Sequence, residues 1–381
     1  MARTWPVTRK KKAVLRAFDI AAKPIASILL RDKSEPPRDV RKILVLELWH
    51  IGDVVLATAA LQELRKIYPK ARITLLAKPH AVELLEGSGL VDEVIAYDFP
   101  WTATTGKYRL DRYDRREIST LIEKLRAQQF DVSVDCRMDV RSNLLTRRIG
   151  ASRRIGYDFG GGGFLLTDAL PPPPADQHKV DDWRGLLAPL RGKTSQSWAE
   201  PSLTVADDER HEAKRVLESY EVTAGDVIVG IHPGGSHHAK RWPEESFAEV
   251  GRRLAHDHNV RLLVFVDRDG CGSNMQAGPD AIFVRTSLRE MMALLTHCDI
   301  LICNDSGPMH MAAALRVPVV AVFRTGSPSA YGPRGLDHVV IGSGAPWGET
   351  TDISVDEVIA AADGAVARIC AQRRRGTGKN S

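Results

Sequence analysis

The sequence predicts an α/β protein made of two Rossmann-like domains, each with a parallel sheet, facing a central cleft. Three observations carry that prediction. From Lys42 onward, apolar runs of strand length alternate with longer segments of helical periodicity, the pattern of parallel strands joined by crossover helices. The alternation comes as two successive series with no short repeat period, divided by a Gly- and Pro-rich stretch. In both series a strand runs through polar and glycine residues straight into a helix, the junction where open α/β sheets bind ligands.

In the first series Ile43–Leu48 reads as a strand and Asp53–Tyr68 as a helix, with apolar residues at Val54, Ala57, Leu61 and Leu64. Arg72–Leu76 and Glu93–Tyr97 read as strands with a short helix between them. Ser119–Gln128 is helical, Phe130–Val134 is a strand, and Arg153–Tyr157 closes the series. Gly160–Gly163 cannot pack a core, and Pro171–Pro174 cannot join a ladder or a helix interior. The second series then runs strand Val227–Ile231, helix Pro243–His256, strand Arg261–Val266, helix Leu288–His297, strand Ile300–Cys303, helix Pro308–Leu315, strand Val317–Phe323 and closing helix Val355–Ile369. The expected organisation is a basic amphipathic extension over residues 1–41, a first domain over 42–157, a crossover linker over 158–182, a second domain over 183–370 and a basic tail over 371–381.

With 381 residues, 43% of them hydrophobic, the chain is long enough for two separate cores. Its formal charge of +5 is unevenly spread: residues 1–42 carry twelve Lys/Arg against four Asp/Glu, and residues 368–381 carry five Lys/Arg and no acid, leaving −8 on residues 43–367. An acidic body argues against nucleic acid as a partner, because no basic face dominates it. The basic ends suit an anionic surface. Val14, Phe18, Ala21, Ile25 and Ile28 follow helical spacing among Lys10, Lys11, Lys12, Arg16 and Lys23, the pattern of an interfacial helix on an anionic membrane. Arg16, Asp19, Lys23 and Pro24 interrupt any signal-peptide core, and no apolar stretch approaches bilayer-spanning length. Cys136, Cys271, Cys298, Cys303 and Cys370 show no CxxC pair and no secreted-type spacing, so they read as reduced thiols of a cytosolic protein.

The run Cys303-Asn304-Asp305-Ser306-Gly307-Pro308-Met309-His310 carries the most information. A buried strand gives way to acidic, hydroxyl and glycine residues, and an Ala-rich helix begins at once. Unpaired backbone N–H groups and the positive end of a helix dipole suit a phosphate or polar sugar there. In the first domain, Asp53 follows Gly52 at the start of a helix. Asp is an ordinary capping residue, but this one stands at the carboxyl edge of the first strand, where a catalytic carboxylate would face the cleft. In the second domain the strand Val227–Ile231 ends in His232-Pro233-Gly234-Gly235-Ser236-His237-His238-Ala239-Lys240-Arg241-Trp242-Pro243. Gly234 and Gly235 permit close backbone approach, Ser236 supplies a hydroxyl and Lys240 a point charge suited to phosphate. The three histidines lack partner ligands at metal spacing, so neither a metal nor a cofactor is expected. Asp267-Arg268-Asp269 fits a cation site, a ribose contact or a solvated turn.

Three groups of motifs bear a family resemblance. Lys42-Ile43-Leu44-Val45-Leu46 with Ile51-Gly52-Asp53-Val54-Val55 and Tyr68-Pro69-Lys70 resembles the opening of the family 9 glycosyltransferases, the lipopolysaccharide heptosyltransferases. His232-Pro233-Gly234 with Lys240-Arg241-Trp242-Pro243 is similar to their phosphate loop. Asp305-Ser306-Gly307-Pro308-Met309-His310, with Pro318, Ser327-Pro328 and Tyr331-Gly332-Pro333, is similar to their donor-sugar loop. The resemblance spans residues 42–335. It implies a GT-B fold, an ADP-activated heptose donor, metal-independent inverting transfer, and a glycolipid acceptor at the inner face of the cytoplasmic membrane. By the same resemblance Asp53 is the general base, Lys240 meets the donor diphosphate, and Asp305, Ser306, Gly307 and His310 form the sugar and phosphate loop. Three departures stand out. Trp49-His50 replaces small hydroxyl residues, Arg324 replaces a glycine, and Asp267-Arg268-Asp269-Gly270 replaces a more Gly-rich turn.

The leading expectation is thus an inverting glycosyltransferase with Asp53 and Lys240 as catalytic residues. Donor binding is expected at Gly234, Gly235, Ser236, Asp305, Ser306, Gly307 and His310, and acceptor binding at His50, Arg112 and Arg115. Segment Phe99–Arg116 interleaves Trp101, Tyr108 and Tyr113 with five basic residues and is expected to hold the acceptor. A nucleotide-sugar epimerase of the same architecture, or a non-catalytic nucleotide-sugar-binding protein, would share the phosphate loop. Neither needs an acceptor.

Overall fold

The computed structural model describes residues 39–103, 111, 113–159, 161–191, 197–335, 337–342, 344–345 and 349–377. The expected amphipathic helix near the amino end lies outside them. The described chain forms two compact units that divide between Ala199 and Glu200.

In the first unit the order is β1 (Lys42–Glu47), α1 (Ile51–Ile67), β2 (Arg72–Ala77), α2 (His80–Leu85), β3 (Glu93–Ala96), α3 (Arg115–Ala127), β4 (Val132–Asp135), α4 (Val140–Ile149), β5 (Arg153–Tyr157), β6 (Asp168–Leu170) and α5 (Lys179–Arg191). The sheet runs β3-β2-β1-β4-β5-β6, and every pairing is parallel. Five of the six residues of β1 are buried in a continuous run, as expected of a strand covered on both faces. Local chemistry fixes the helix ends. Asp114 caps α3 by accepting from the amides of Arg116 and Glu117. Asp139 caps α4 by accepting from the amide of Arg141, and Gly150 closes that helix at φ 83°, a left-handed conformation that suits glycine.

The segment 158–182, expected as a crossover linker, is instead part of this unit. Its β6 extends the sheet beside β5, and α5 begins at Lys179 and packs on α1. Burial explains the difference. Val180, Trp183, Leu186 and Leu187 have no exposed surface, and the Tyr157 hydroxyl donates to the Asp182 carbonyl at 2.5 Å. The amide of Ala199 donates to Glu63 of α1 at 2.8 Å, so the chain stays with the first unit until that point. The second unit accordingly begins at Glu200 rather than at residue 183.

The second unit contains α6 (Asp207–Ser219), β7 (Ile228–His232), α7 (Glu244–His258), β8 (Arg261–Phe265), β9 (Ile282–Val284), α8 (Leu288–Leu295), β10 (Ile300–Asn304), α9 (Gly307–Ala314), β11 (Val319–Val322), α10 (Pro328–Tyr331), β12 (Val339–Ile341) and α11 (Val355–Thr377). Its sheet runs β12-β11-β10-β7-β8-β9, again wholly parallel. Counted within each unit, both sheets share the strand order 3-2-1-4-5-6 of the Rossmann fold. The second core joins Val229 and Ile231 of β7, Phe247 and Leu254 of α7, Val320 and Val322 of β11 and Val358 and Ala362 of α11. Among the described residues, no helix is long and apolar enough to cross a membrane.

The strand order reverses between β1 and β4 in the first unit, and between β7 and β10 in the second. Crevices at the carboxyl ends of such strand pairs are where open α/β sheets hold ligands. The residues of interest cluster at those two places.

Candidate active site

At the first switch point β1 ends at Glu47, His50 is the N-cap of α1, and Asp53 is the third residue of that helix. The two oxygens of Asp53 have different surroundings. Oδ2 accepts from the His50 amide at 3.3 Å, the ordinary helix-start contact. Oδ1 lies 3.8 Å from Nη1 of Arg137, and 12% of the Asp53 side chain remains exposed. The Arg137 guanidinium is also stacked 3.7 Å above the Trp49 ring, which fixes its orientation through a cation–π contact. Burial alone would raise the Asp53 carboxyl. Arg137, Lys179 and His50 together outweigh burial and hold it below the usual carboxylate range, so Asp53 is ionised at neutral pH.

Around it sit groups that sequence reasoning left unassigned. Glu47 is 1% exposed and its carboxyl is pushed up to about 7, first by burial and then by the charge of Asp53. Asp135, at the end of β4, accepts from the Arg137 amide at 2.8 Å and is pushed up to about 8, chiefly by burial. Lys179 of α5 is 2% exposed and donates to the Cys136 carbonyl at 3.3 Å. His80, at the start of α2, is driven down to about 4 by burial and then by Lys78 and His50. The signal for Arg137 is legible: Asp135 and Arg137 follow an apolar strand at its carboxyl end. Lys179 carries no such signal, because it lies in the segment read as linker.

The expected acceptor segment is only partly as foreseen. Arg112 lies outside the described residues, as do Lys107, Tyr108 and Arg109. Trp101 and Tyr113 do not stand free: Trp101 stacks on the fully buried Phe99 at 4.4 Å and on Tyr113 at 6.2 Å, and Trp101 packs against the core. Arg115 is exposed at the first position of α3. A cation is unfavourable beside the positive end of a helix dipole, so helix stability does not account for it. His50 is exposed, edge-on to Trp49.

At the second switch point the loop after β7 is held from below by Asn304. Its Nδ2 donates to the Pro233 carbonyl at 2.7 Å and to Gly234 at 3.2 Å, and its Oδ1 accepts from the Trp242 amide at 2.9 Å. Gly234 is required by its neighbours, since a Cβ there would lie 2.3 Å from Oδ2 of Asp267 and 2.8 Å from Cε1 of His232. A Cβ on Gly235 would meet nothing closer than 3.5 Å. Ser236 is exposed on the loop. Lys240 reaches Oδ2 of Asp305 at 2.6 Å, with side chains 20% and 8% exposed. Ser306 is the N-cap of α9, and its hydroxyl oxygen is buried with no hydrogen-bond partner among the described residues. Gly307 opens that helix, and His310, on the same helix, is buried.

The departures also find places here. Arg324 donates to the Arg241 carbonyl at 2.7 Å, bracing the Lys240 loop from β11. Asp269 pairs with Arg241 at 2.5 Å, and the Asp267 carboxylate accepts from the Arg268 amide at 2.7 Å, so this triplet forms a hydrogen-bonded turn. His232 is buried and pushed down to about 4 by that burial, although Asp267 opposes it, while His237 caps the turn His238–Lys240 through the Ala239 amide. Among the described residues no cluster of three or more His, Cys, Asp or Glu side chains is arranged to hold a metal.

The model of glycosyltransferase family 9 (heptosyltransferase) matches residues 118–354. The chain belongs to glycosyltransferase family 9. It is 24% identical over 315 residues to the lipopolysaccharide core heptosyltransferase OpsX of Haemophilus influenzae, covering 79% of this chain and 84% of that one. Among solved structures, a family 9 glycosyl transferase from Veillonella parvula superposes with a TM-score of 0.72 at 23% identity, covering 88% of this chain and all of the other. An E. coli ADP-heptose lps heptosyltransferase II superposes with a TM-score of 0.67 at 22% identity, covering 86% and 99%. This family 9 member is therefore a glycosyltransferase of GT-B fold, with one Rossmann-like unit on each side of Ala199/Glu200. Membership sets aside the epimerase and the non-catalytic binding protein.

Proposed function

We propose that this enzyme transfers heptose from ADP-heptose, with inversion and without a metal ion, to a hydroxyl of the lipopolysaccharide core or a related glycolipid. Asp53 takes the proton of the acceptor hydroxyl as that oxygen attacks the anomeric carbon from the face opposite the leaving group. The new C–O bond forms as the bond to the ADP β-phosphate oxygen breaks, and ADP departs with the electron pair. Lys240, the buried Ser306 hydroxyl and the amino end of α9 meet the negative charge that accumulates on the diphosphate. Gly234, Gly235, Ser236, Asp305, Gly307 and His310 complete the donor side, and His50, Arg112 and Arg115 the acceptor side. The observation that carries this reading is the Asp53 carboxylate, held ionised with one oxygen not used in the helix-start contact.

The test is an assay of the purified protein with ADP-heptose and heptose-free lipopolysaccharide core, in chelator. Transfer with inverted anomeric configuration by NMR supports the reading. Transfer only from another nucleotide sugar, or only on adding a divalent cation, contradicts that part of it. The enzyme is further proposed to work as a peripheral protein on the cytoplasmic membrane face, using its basic ends. Co-sedimentation with anionic but not neutral vesicles tests this.

A further inference from the structure

Asp53 presents a chemical difficulty that its surroundings also answer. A general base works best when its proton affinity lies near the working pH, yet Arg137, Lys179 and His50 all weaken this carboxylate as a base. A second carboxyl, Glu47, stands at the end of the strand that leads into the Asp53 helix. It is 1% exposed, and its Oε1 has no hydrogen-bond partner among the described residues. A buried charge without a full set of partners is costly, so such a group keeps its proton. Leu46 pairs with Asp135 across β1 and β4, so Glu47, Asp53 and Asp135 share this corner with Arg137 and Lys179. Burial keeps the protons on Glu47 and Asp135, while Asp53 stays ionised.

We propose that Glu47 and Asp53 act as one coupled carboxyl pair, in which buried Glu47 holds a proton and, on losing it, makes Asp53 the stronger base. The inference rests on Asp53 being the catalytic base. Coupling between two sites is reciprocal. The charge on Asp53 strengthens the hold of Glu47 on its proton, so an ionised Glu47 strengthens by the same amount the hold of Asp53 on the proton it removes from the acceptor. The groups facing the pair are His50 beside Asp53, Arg137 and Asp135 from the end of β4, and Lys179 from α5. His80, at the start of α2, also senses Asp53. Glu47 is buried away from solvent. It is a positioning residue that acts through Asp53.

The experiment follows the infrared band of protonated carboxyl groups and the rate of turnover against pH in the full-length protein. In wild type, turnover rises on the order of threefold or more as Glu47 ionises near about pH 7. Glu47→Gln, which keeps the shape and mimics the protonated acid, holds turnover at the low-pH level across the range and removes one component of the band. The band of Asp135 persists in both, so their difference isolates Glu47. In Asp53→Asn the Glu47 component is lost at lower pH than in wild type. An unmoved midpoint in Asp53→Asn overturns the coupling. A moved midpoint with superimposable rate profiles for wild type and Glu47→Gln overturns the claim that Glu47 sets the strength of the base. Should Asp53→Asn keep its turnover, the base assignment fails instead, and the midpoint shift still reports the coupling by itself.

Discussion

The Nζ of Lys240 lies 2.6 Å from Oδ2 of Asp305, and the pair bridges the ends of β7 and β10 at the point where strand order reverses. The pair anchors Lys240 toward the amino end of α9, where a cation meets an arriving diphosphate. Lys240→Ala is expected to weaken nucleoside diphosphate binding by about ten- to a hundredfold, the scale of one charge-assisted hydrogen bond. It also leaves a nearly buried Asp305 unpaired, so the melting temperature falls as well. Calorimetry on protein shown to be folded separates the two effects. Unchanged affinity in the folded variant removes Lys240 from the donor site.

Two adjacent glycines are expected to respond differently to alanine. At Gly234 the new methyl group collides with Asp267 and His232, whereas at Gly235 it meets only ordinary contacts. Gly234→Ala should therefore lower the melting temperature, because loop and turn must move apart. Gly235→Ala should melt like wild type yet bind donor less well, because its methyl group occupies the space a phosphate uses to approach the backbone. Thermal melts paired with donor titrations check both. Wild-type donor affinity in Gly235→Ala would place the phosphate elsewhere.

Much of this was legible in the sequence, and the reason is physical. Parallel strands buried on both faces announce themselves as apolar runs such as Ile300-Leu301-Ile302-Cys303, and ligand residues must follow their carboxyl ends. That logic locates Asp53, the Lys240 loop and Asp305. It fails where composition misleads. Pro171–Pro174 suggested a linker, but the short β6 before it and α5 after it belong to the first unit, because Trp183 and its neighbours bury an apolar face that periodicity alone did not reveal. Burial of charge is also invisible in one dimension. Glu47 and Lys179 have no assigned role in the sequence until the fold encloses them, and Trp101 reads as a sugar platform until it is seen stacked on Phe99.

The buried acids give stability a definite pH dependence. Asp135 binds its proton more tightly when folded, at about 8 against an ordinary 3.8. Its contribution is therefore fully present at acid pH and is lost as pH rises through about 8. Asp135→Asn removes that loss while still accepting from the Arg137 amide. The variant should gain stability relative to wild type as pH rises from about 5 to about 9, by an amount on the order of a few kcal/mol. Urea unfolding at a series of pH values measures it. A difference that shrinks with rising pH would mean that Asp135 is ionised in the folded protein.

Asp53→Asn separates the two roles that the structure gives this residue. The helix-start contact from the His50 amide needs only a side-chain oxygen, which asparagine retains, and asparagine is tolerated at helix starts. The pairing with Arg137 needs charge, but it is a 3.8 Å contact at a partly exposed site, where the loss is modest. Fold and melting temperature should therefore change little near neutral pH. Because the folded carboxyl is held below its ordinary range, the stability it contributes exists above about pH 4 and fades on acidification. The variant should accordingly approach wild type in stability as pH falls. Turnover is another matter, since an amide cannot take the acceptor's proton. A drop of roughly two to four orders of magnitude is expected, with donor affinity within about twofold of wild type, because the role of Asp53 is toward the acceptor. Melts, donor calorimetry and acceptor turnover on the same preparation decide it. Near-normal turnover would reduce Asp53 to a helix-start residue, and a matching loss of donor affinity would move it to the donor side.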